Sequence, residues 1–485
     1  MFVRHSLIYL LARGIPSFVA FLAIIIYTRL LTPDEFGMYS LVYVGALLLS
    51  SVCFQWLRLG LLRFYQERDS SQKTVLISTI ALAFLVVAGA LLLLLPIAYF
   101  LRDFAWVALE GLAIGIAQGA FDILLERARV ELTPWRFGFL ALLRAVLMLT
   151  GGVVGFELGG VQGLLVGILI GILLVVGVEF RQVSSRTDFA CARKHELWSL
   201  LRFGGPLSAT FVLTGVMGFS DRYMLAWLQG MASAGNYAAA YDLTQKIIIT
   251  LMTVINLSGY PLLLKAQAEE DAAVFQQRIR QTLSGLLFLG LPIMVLFAVI
   301  PSVIAGVLLG ATFQHEAAVL LPWLALTALL EGMKVYYFDL SFQLRQHTWH
   351  QVWIVAVAAA LNVGLNLWLI PLYGGLGAAW ATLTANGLAI GLSFIMSRAH
   401  LKLPLITGEM MAIVISAVAM GVGLWLLSPW IMSLFSDPFI RLLLLSVLAG
   451  VIYLSGALIF DVFGAREHLL EKSLLRFKFS RNPPQ

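Results

Sequence analysis

Ionisable side chains stand inside runs of otherwise apolar residues, and these are the positions where the chain could do chemistry. The basic ones are Arg144, Arg222, Lys246 and Lys334, with Arg13 nearer the edge of its run; the acidic ones are Glu331, Asp221 and Glu110. A charge at the centre of a bilayer costs about 2.5–3.5 kcal/mol on insertion scales, so each should face a cavity, a partner or a ligand. Guanidinium and ammonium groups in such a place suit an anion whose oxygens accept charge-assisted hydrogen bonds. A carboxylate there suits the carriage of a proton.

Local pairing is the competing use. Asp242 and Lys246 are spaced i,i+4 and Glu331 and Lys334 i,i+3, so each pair can meet on one helix face. Asp221 and Arg222 are adjacent, about 100° apart around a helix, and must reach different neighbours. Arg222 therefore suits an interhelical tie as well as a ligand contact. Arg144 has no charged residue within one turn, which makes it the first choice for an anion. No residue pattern calls for a metal or a cofactor.

The elements that must position these groups are transmembrane helices. Hydrophobic residues make up 60% of the 485-residue chain and charged residues 12%, against roughly 25% charged in a soluble domain. A crossing takes roughly 20 apolar residues, and about fourteen such runs follow one another. Basic residues mark alternate loops. They occupy 63–73 (Arg63, Arg68, Lys73), 127–136 (Arg127, Arg129, Arg136) and 181–203 (Arg181, Arg186, Arg193, Lys194, Arg202), then recur near Lys265, Arg345 and Arg398 and from Arg466 on. The intervening loops hold few. This alternation is the positive-inside pattern of an even number of spans with both termini in the cytoplasm. The run after Arg4 is too long for a signal-peptide core and lacks a small-residue cleavage site, so it reads as the first span. The scattered basic residues give no stripe for nucleic acid, and Cys53 and Cys191 suggest no disulfide framework. The tail Arg466–Phe479 alternates leucines with Lys472, Arg476 and Lys478, as a helix lying on an anionic leaflet would.

The chain also repeats itself. Gly37-Met38-Tyr39-Ser40-Leu41-Val42-Tyr43 opens span two and Gly235-Asn236-Tyr237-Ala238-Ala239-Ala240-Tyr241 opens span eight, both as Gly-x-Tyr-small-x-x-Tyr. Gly14-Ile15-Pro16-Ser17 is echoed by Gly205-Pro206-Leu207-Ser208, and Gly159-Gly160 by Gly374-Gly375. Each pair falls six spans apart in the same orientation. The expected architecture is therefore an all-α polytopic membrane protein of two six-helix repeats plus two C-terminal helices. Its parts are a bundle over 1–180, a basic cytoplasmic linker over 181–203, a second bundle over 204–397, two added spans over 398–460 and a basic tail over 461–485. Parallel repeats around a midplane site belong to transporters. Pro16 and Pro206 are expected in first turns, or, as matched interruptions, at broken helices beside that site.

Arg13-Gly14-x-Pro16 and Arg29-Leu30-Leu31-Thr32-Pro33-Asp34-Glu35-Phe36-Gly37-x-Tyr39 resemble the N-terminus of the polysaccharide-transport family. These are the Wzx-type flippases of the multidrug/oligosaccharidyl-lipid/polysaccharide exporter superfamily. Asp221-Arg222-Tyr223-Met224-Leu225 before Gly235-x-Tyr237 is similar to its seventh-helix signature, and Pro371-Leu372-Tyr373-Gly374-Gly375-Leu376-Gly377 to its eleventh-to-twelfth turn. Leu309-Gly310 with Phe313, then Leu321-Pro322-Trp323-Leu324, resembles its ninth loop and tenth helix. Ser233-Ala234 departs from the pattern, where an acidic residue is more usual. The resemblance implies flipping of a polyprenyl-diphosphate-linked oligosaccharide from the inner to the outer leaflet of a bacterial or archaeal cytoplasmic membrane. The substrate and membrane lipids would be its partners, with the polymerase and chain-length proteins of a glycan pathway. Arg144, Arg222, Lys246, Lys334 and Arg13 would then line a cationic cavity for the diphosphate, and Tyr237, Tyr241, Tyr336 and Tyr337 would wall the glycan. Glu331, Asp221 or Glu110 would couple transport to an ion gradient, since no Gly-x-x-x-x-Gly-Lys-Ser/Thr motif provides for ATP.

Two other classes remain. A membrane glycan polymerase or ligase would present catalytic carboxylates on a large outer loop. Segments 306–316 and 428–438 hold only His315, Glu316 and Asp437, with no paired carboxylates for acid–base work. A drug or cation exporter of the same superfamily would have twelve spans rather than fourteen.

Overall fold

A lipid environment offers the backbone no hydrogen-bond partner, so a crossing segment must satisfy its own amides and carbonyls, and an isolated one does so as a helix. The structure, a computed structural model, describes residues 2–93, 105–184, 187–269, 271–344, 348–398, 401, 403–404 and 407–464. Among them there are helices and turns and no strand. The Arg466–Phe479 tail lies outside the described residues, as does the side chain of Arg13.

The long helices are α1 (Phe2–Leu30), α2 (Pro33–Phe64), α3 (Ser70–Leu92) and α4 (Ala105–Val130). Pro134–Ser184 follows, folded at Gly159–Gly160 into two limbs, α5 before the turn and α6 after it. Then come α7 (Lys194–Gln229), α8 (Met231–Ala268), α9 (Ala272–Val299), α10 (Gln314–Met333), α11 (Thr348–Tyr373), α12 (Gly375–Ser397), α13 (Gly408–Leu434) and α14 (Pro438–Ile459). Among the described residues, eleven segments are long and apolar enough to cross a membrane, Pro134–Phe180 counting once. With that segment folded in two and α1 and α7 added, the order is consistent with fourteen crossings.

Local chemistry sets the ends. Thr32 caps α2 in a capping box: its hydroxyl accepts from the Glu35 amide while the Glu35 carboxylate accepts from the Thr32 amide at 2.9 Å, with Pro33 in the first turn. Asp69, Asp271 and Asp437 cap α3, α9 and α14. The two glycine turns that echo one another both use left-handed backbone, with φ of 61° at Gly160 and 55° at Gly374. Beyond the first turn, Gly151 packs on Gly167 and Gly155 on Gly163, so closely that a Cβ on any of them would strike the opposite carbonyl. The expected placing of Pro16 and Pro206 in first turns is not what forms. Position 16 lies well inside α1, and position 206 inside α7, which begins twelve residues earlier in Lys194-His195-Glu196. Those polar residues make a helical turn outside the apolar stretch, where hydropathy gives no sign of it. Cys53 and Cys191 are free.

Contacts divide the chain into two units, residues 1–239 with 355–381, and residues 240–354 with 382–485. In the first, α2 packs on α4 and α7, and α1 on the α5–α6 hairpin. Arg68 of the α2–α3 loop grips Glu196 of α7 through both guanidinium nitrogens, at 2.6 and 2.8 Å. In the second, α9 packs on α10 and α13, and α13 on α14.

Candidate functional site

In the first unit, α7 carries four consecutive polar residues, Ser220 to Tyr223, which turn to α8 and α11 on one side and to α2 on the other. Asp221 is fully buried, and its carboxylate accepts from the Tyr237 hydroxyl at 2.8 Å and from Asn366 Nδ2 at 2.6 Å. Asn366 Nδ2 also donates to Asn362 Oδ1, one turn back on α11, which accepts from the Ser220 hydroxyl at 3.2 Å. Arg222, also buried, donates to the Ser40 hydroxyl of α2 at 2.6 Å, and the Tyr223 hydroxyl donates to the Leu41 carbonyl at 2.8 Å. Arg222 thus ties α7 to α2, while Asp221 faces α8 and α11.

Arg144 of α5 belongs to a different network. Its Nη1 donates to Gln118 at 2.9 Å and its guanidinium lies 4.6 Å from the centre of the Phe121 ring. Gln118 donates onward to Asp122 at 3.0 Å, and Arg58 of α2 sits 3.9 Å from Asp122 and 3.5 Å from Glu126. Gln118, Asp122 and Glu126 stand at i,i+4 on α4 and form one polar stripe between two cations. Arg144 is half-buried, and its Nε has no hydrogen-bond partner. Glu110, nearer the other end of α4, lines a recess of about 530 Å³ against the glycines of the α5–α6 hairpin, with Oε2 unpartnered.

The second unit corrects one pairing. Lys334 bonds Asp339 at 2.7 Å, not Glu331. The reason is a π-turn over Lys334–Phe338, in which the Asp339 amide donates to the Lys334 carbonyl at 2.9 Å, bringing residues five apart into line. Asp339 also accepts from Ser393 of α12 at 3.1 Å, and both members of the ion pair are buried. Glu331 instead accepts from Gln245 of α8 at 2.7 Å. Lys246 is exposed on α8.

Tyr237 and Tyr337, expected beside the glycan, are enclosed in helix packing. Both are fully buried; Tyr237 holds Asp221, and Tyr337 donates to the Pro404 carbonyl. Tyr241 is buried too, and Tyr336 shares a 2.8 Å hydrogen bond with Thr253. Among the described residues no group of three or more His, Cys, Asp or Glu side chains is placed to hold a metal. Asp122, Gln118, Asn362, Asn366 and Asp339 escaped the sequence reading. The 118/122/126 spacing was the available signal for the first two; nothing local pointed to the others.

A family described as "Polysaccharide biosynthesis protein" matches residues 26–318. The chain belongs to this polysaccharide biosynthesis family. No curated protein matches it. Among solved structures it is similar to the lipid II flippase MurJ in an inward closed conformation, with 14% identity over 94% of this chain and 99% of that one and a TM-score of 0.76. An inward-facing multidrug resistance MATE family transporter of the MOP superfamily matches at 15% identity, 81% and 97% coverage and a TM-score of 0.61. An outward-facing MATE transporter matches at 14% identity, 82% and 94% coverage and a TM-score of 0.52. This member of the polysaccharide biosynthesis family therefore has the MurJ/MATE fold and is a multi-pass membrane protein. The buried Asp221 carboxylate is built into helix packing, and the cations divide into enclosed ties and more accessible groups.

Proposed function

We propose that the protein is a flippase that moves a polyprenyl-diphosphate-linked oligosaccharide, a repeat unit of O-antigen, capsule or exopolysaccharide, from the inner to the outer leaflet by alternating access. The family match over residues 26–318 carries the reading, and the fold shared with a lipid II flippase over 94% of the chain supports it. Arg144, Lys246 and Arg13 are the cations assigned to the diphosphate. Arg222 and Lys334 are enclosed and act on the site by holding helices together. Asp221 is the assigned coupling group: its carboxylate shares a buried pocket with two amides and two hydroxyls, so gaining or losing charge there changes the packing of α7, α8 and α11. Glu331 and Glu110 each sit in a separate place and are second choices. Both termini are assigned to the cytoplasm of a bacterial or archaeal cell, where glycan polymerase and chain-length proteins would take over the product.

The test is glycan export in cells carrying Asp221→Asn, with membrane abundance measured alongside. Loss of export at normal abundance is expected; full export removes the coupling role. Proteoliposomes that move no labelled lipid-linked sugar but extend glycan chains would overturn the flippase reading in favour of a polymerase or ligase. The MATE likeness supports a second reading, a drug or cation exporter, which resistance to cationic dyes would reveal.

A further inference from the structure

On the side of the membrane that the basic loops assign to the cytoplasm, α2, α3, α4 and α6 enclose a recess of about 330 Å³ within the first unit. Its lining is apolar, including Leu61, Ile80, Phe84 and Ile123, apart from Thr187 and a single charged side chain, Arg127. The segment after α6 borders it: the Asp188 amide donates to the Ser78 hydroxyl at 3.0 Å and the Arg193 amide to the Thr79 hydroxyl at 3.1 Å. That clamp holds Thr187 and Phe189 in the wall. Leu85, Phe180 and Phe189 are more than half exposed, so the rim is open and greasy rather than sealed.

Arg127 is only 3% exposed. Its Nε donates to Glu131 at 3.0 Å, but Nη1 and Nη2 are both buried without a hydrogen-bond partner. Glu131 is shared with Arg136, which also holds Glu179 through two nitrogens, so the surrounding carboxylates are already engaged. Two bare guanidinium nitrogens in an apolar wall are costly unless something accepts from them. Such an acceptor must bring oxygens, negative charge and a long apolar body, and must enter from the lipid side.

We propose that this recess binds an anionic phospholipid of the inner leaflet, with phosphate oxygens on Arg127 Nη1 and Nη2 and an acyl chain along Ile80 and Phe84. The site is separate from Arg144 and Asp221, neither of which lines it. The lipid would fasten the segment after α6 to α3 and α4, making the protein sensitive to the charge of its membrane.

The experiment is native mass spectrometry of the full-length protein, delipidated in mild detergent and offered phosphatidylglycerol, phosphatidylcholine or undecaprenyl phosphate. The expected result is one retained phosphatidylglycerol with about tenfold preference over phosphatidylcholine. Arg127→Gln should remove the preference, and Arg127→Lys should restore part of it. Ala81→Trp, which fills the recess while keeping Arg127, should remove the adduct and serves if the Arg127 variants fail to fold. Equal retention of both phospholipids by the unaltered protein, or an adduct unchanged by Ala81→Trp, overturns the proposal. Stronger retention of undecaprenyl phosphate than of phosphatidylglycerol overturns it in favour of a substrate-entry site. Because the readout is lipid retention, it stands apart from whether the protein flips a glycan.

Discussion

Gly37 and Gly235, the glycines that open spans two and eight in the internal repeat, pack backbone to backbone. A Cβ on Gly37 would stand 3.1 Å from the Gly235 nitrogen and would strike the Met231 carbonyl; one on Gly235 would stand 2.8 Å from the Gly37 nitrogen and would strike the Pro33 carbonyl. The obstacles are main-chain atoms, which no rotamer change can move. The start of α2 and the start of α8 therefore touch at the end of the bundle opposite the basic loops.

Gly235→Val is expected to force that contact open. In a background lacking Cys53 and Cys191, a cysteine at Ala232 should label faster with a membrane-impermeant maleimide when valine replaces Gly235. Glycan export should fall at least about tenfold, the factor given by roughly 1.4 kcal/mol of bias between conformations. Unchanged labelling would show that the contact is not a closure.

The buried pair Lys334–Asp339 should be lopsided under mutation. Removing one partner strands a charge, at a cost of about 3–5 kcal/mol, while replacing both with neutral residues of similar size is close to neutral. Lys334→Met should lower the melting temperature in detergent sharply, and Lys334→Met with Asp339→Asn should recover much of the loss. Equal melting of the single and double variants would mean the ion pair contributes nothing to packing.

Arg144→Ala separates anion binding from scaffolding. Both alanine and glutamine remove the charge, but glutamine keeps a donor for Gln118. If Arg144 contacts the diphosphate, both variants should lose export while melting differs between them by about 1 kcal/mol, the worth of an ordinary hydrogen bond. Export that is normal in both removes Arg144 from the substrate path.

Acid should act on the α2–α3 loop through Asp69. The Gln72 amide, and after it the Ser71 hydroxyl, hold this exposed carboxylate below its ordinary range. A carboxylate lowered on folding contributes stability above its unfolded value and loses it as pH falls through the folded one. Wild-type protein should become more susceptible to proteolysis near residues 65–73 on acidification. Asp69→Asn, which caps without a charge, should flatten that dependence.

Much of this fold was legible because the bilayer imposes its own length and charge rules. The fourteen apolar runs and the alternation of Arg63, Arg127 and Arg193 with poor loops needed no tertiary information. The echo of Gly159-Gly160 in Gly374-Gly375 was legible too, since both turns demand a left-handed residue. The pairings were not. A count of 3.6 residues per turn sets Lys334 against Glu331, and the π-turn breaks that count. Arg144 looked solitary because its partners, Gln118 and Asp122, lie on another helix. Asp221 stood out as a charge, yet Asn362 and Asn366, which define its surroundings, are neutral residues more than 140 positions away.

The α5–α6 hairpin has a mechanical consequence. Its limbs are joined at Gly159–Gly160, interlocked through Gly151 with Gly167 and Gly155 with Gly163, and latched at the far end where Arg136 meets Glu179. Sliding one limb past the other would drive a carbonyl through an α-carbon. Relative sliding is blocked by main-chain atoms, so a displacement of one limb carries the other with it.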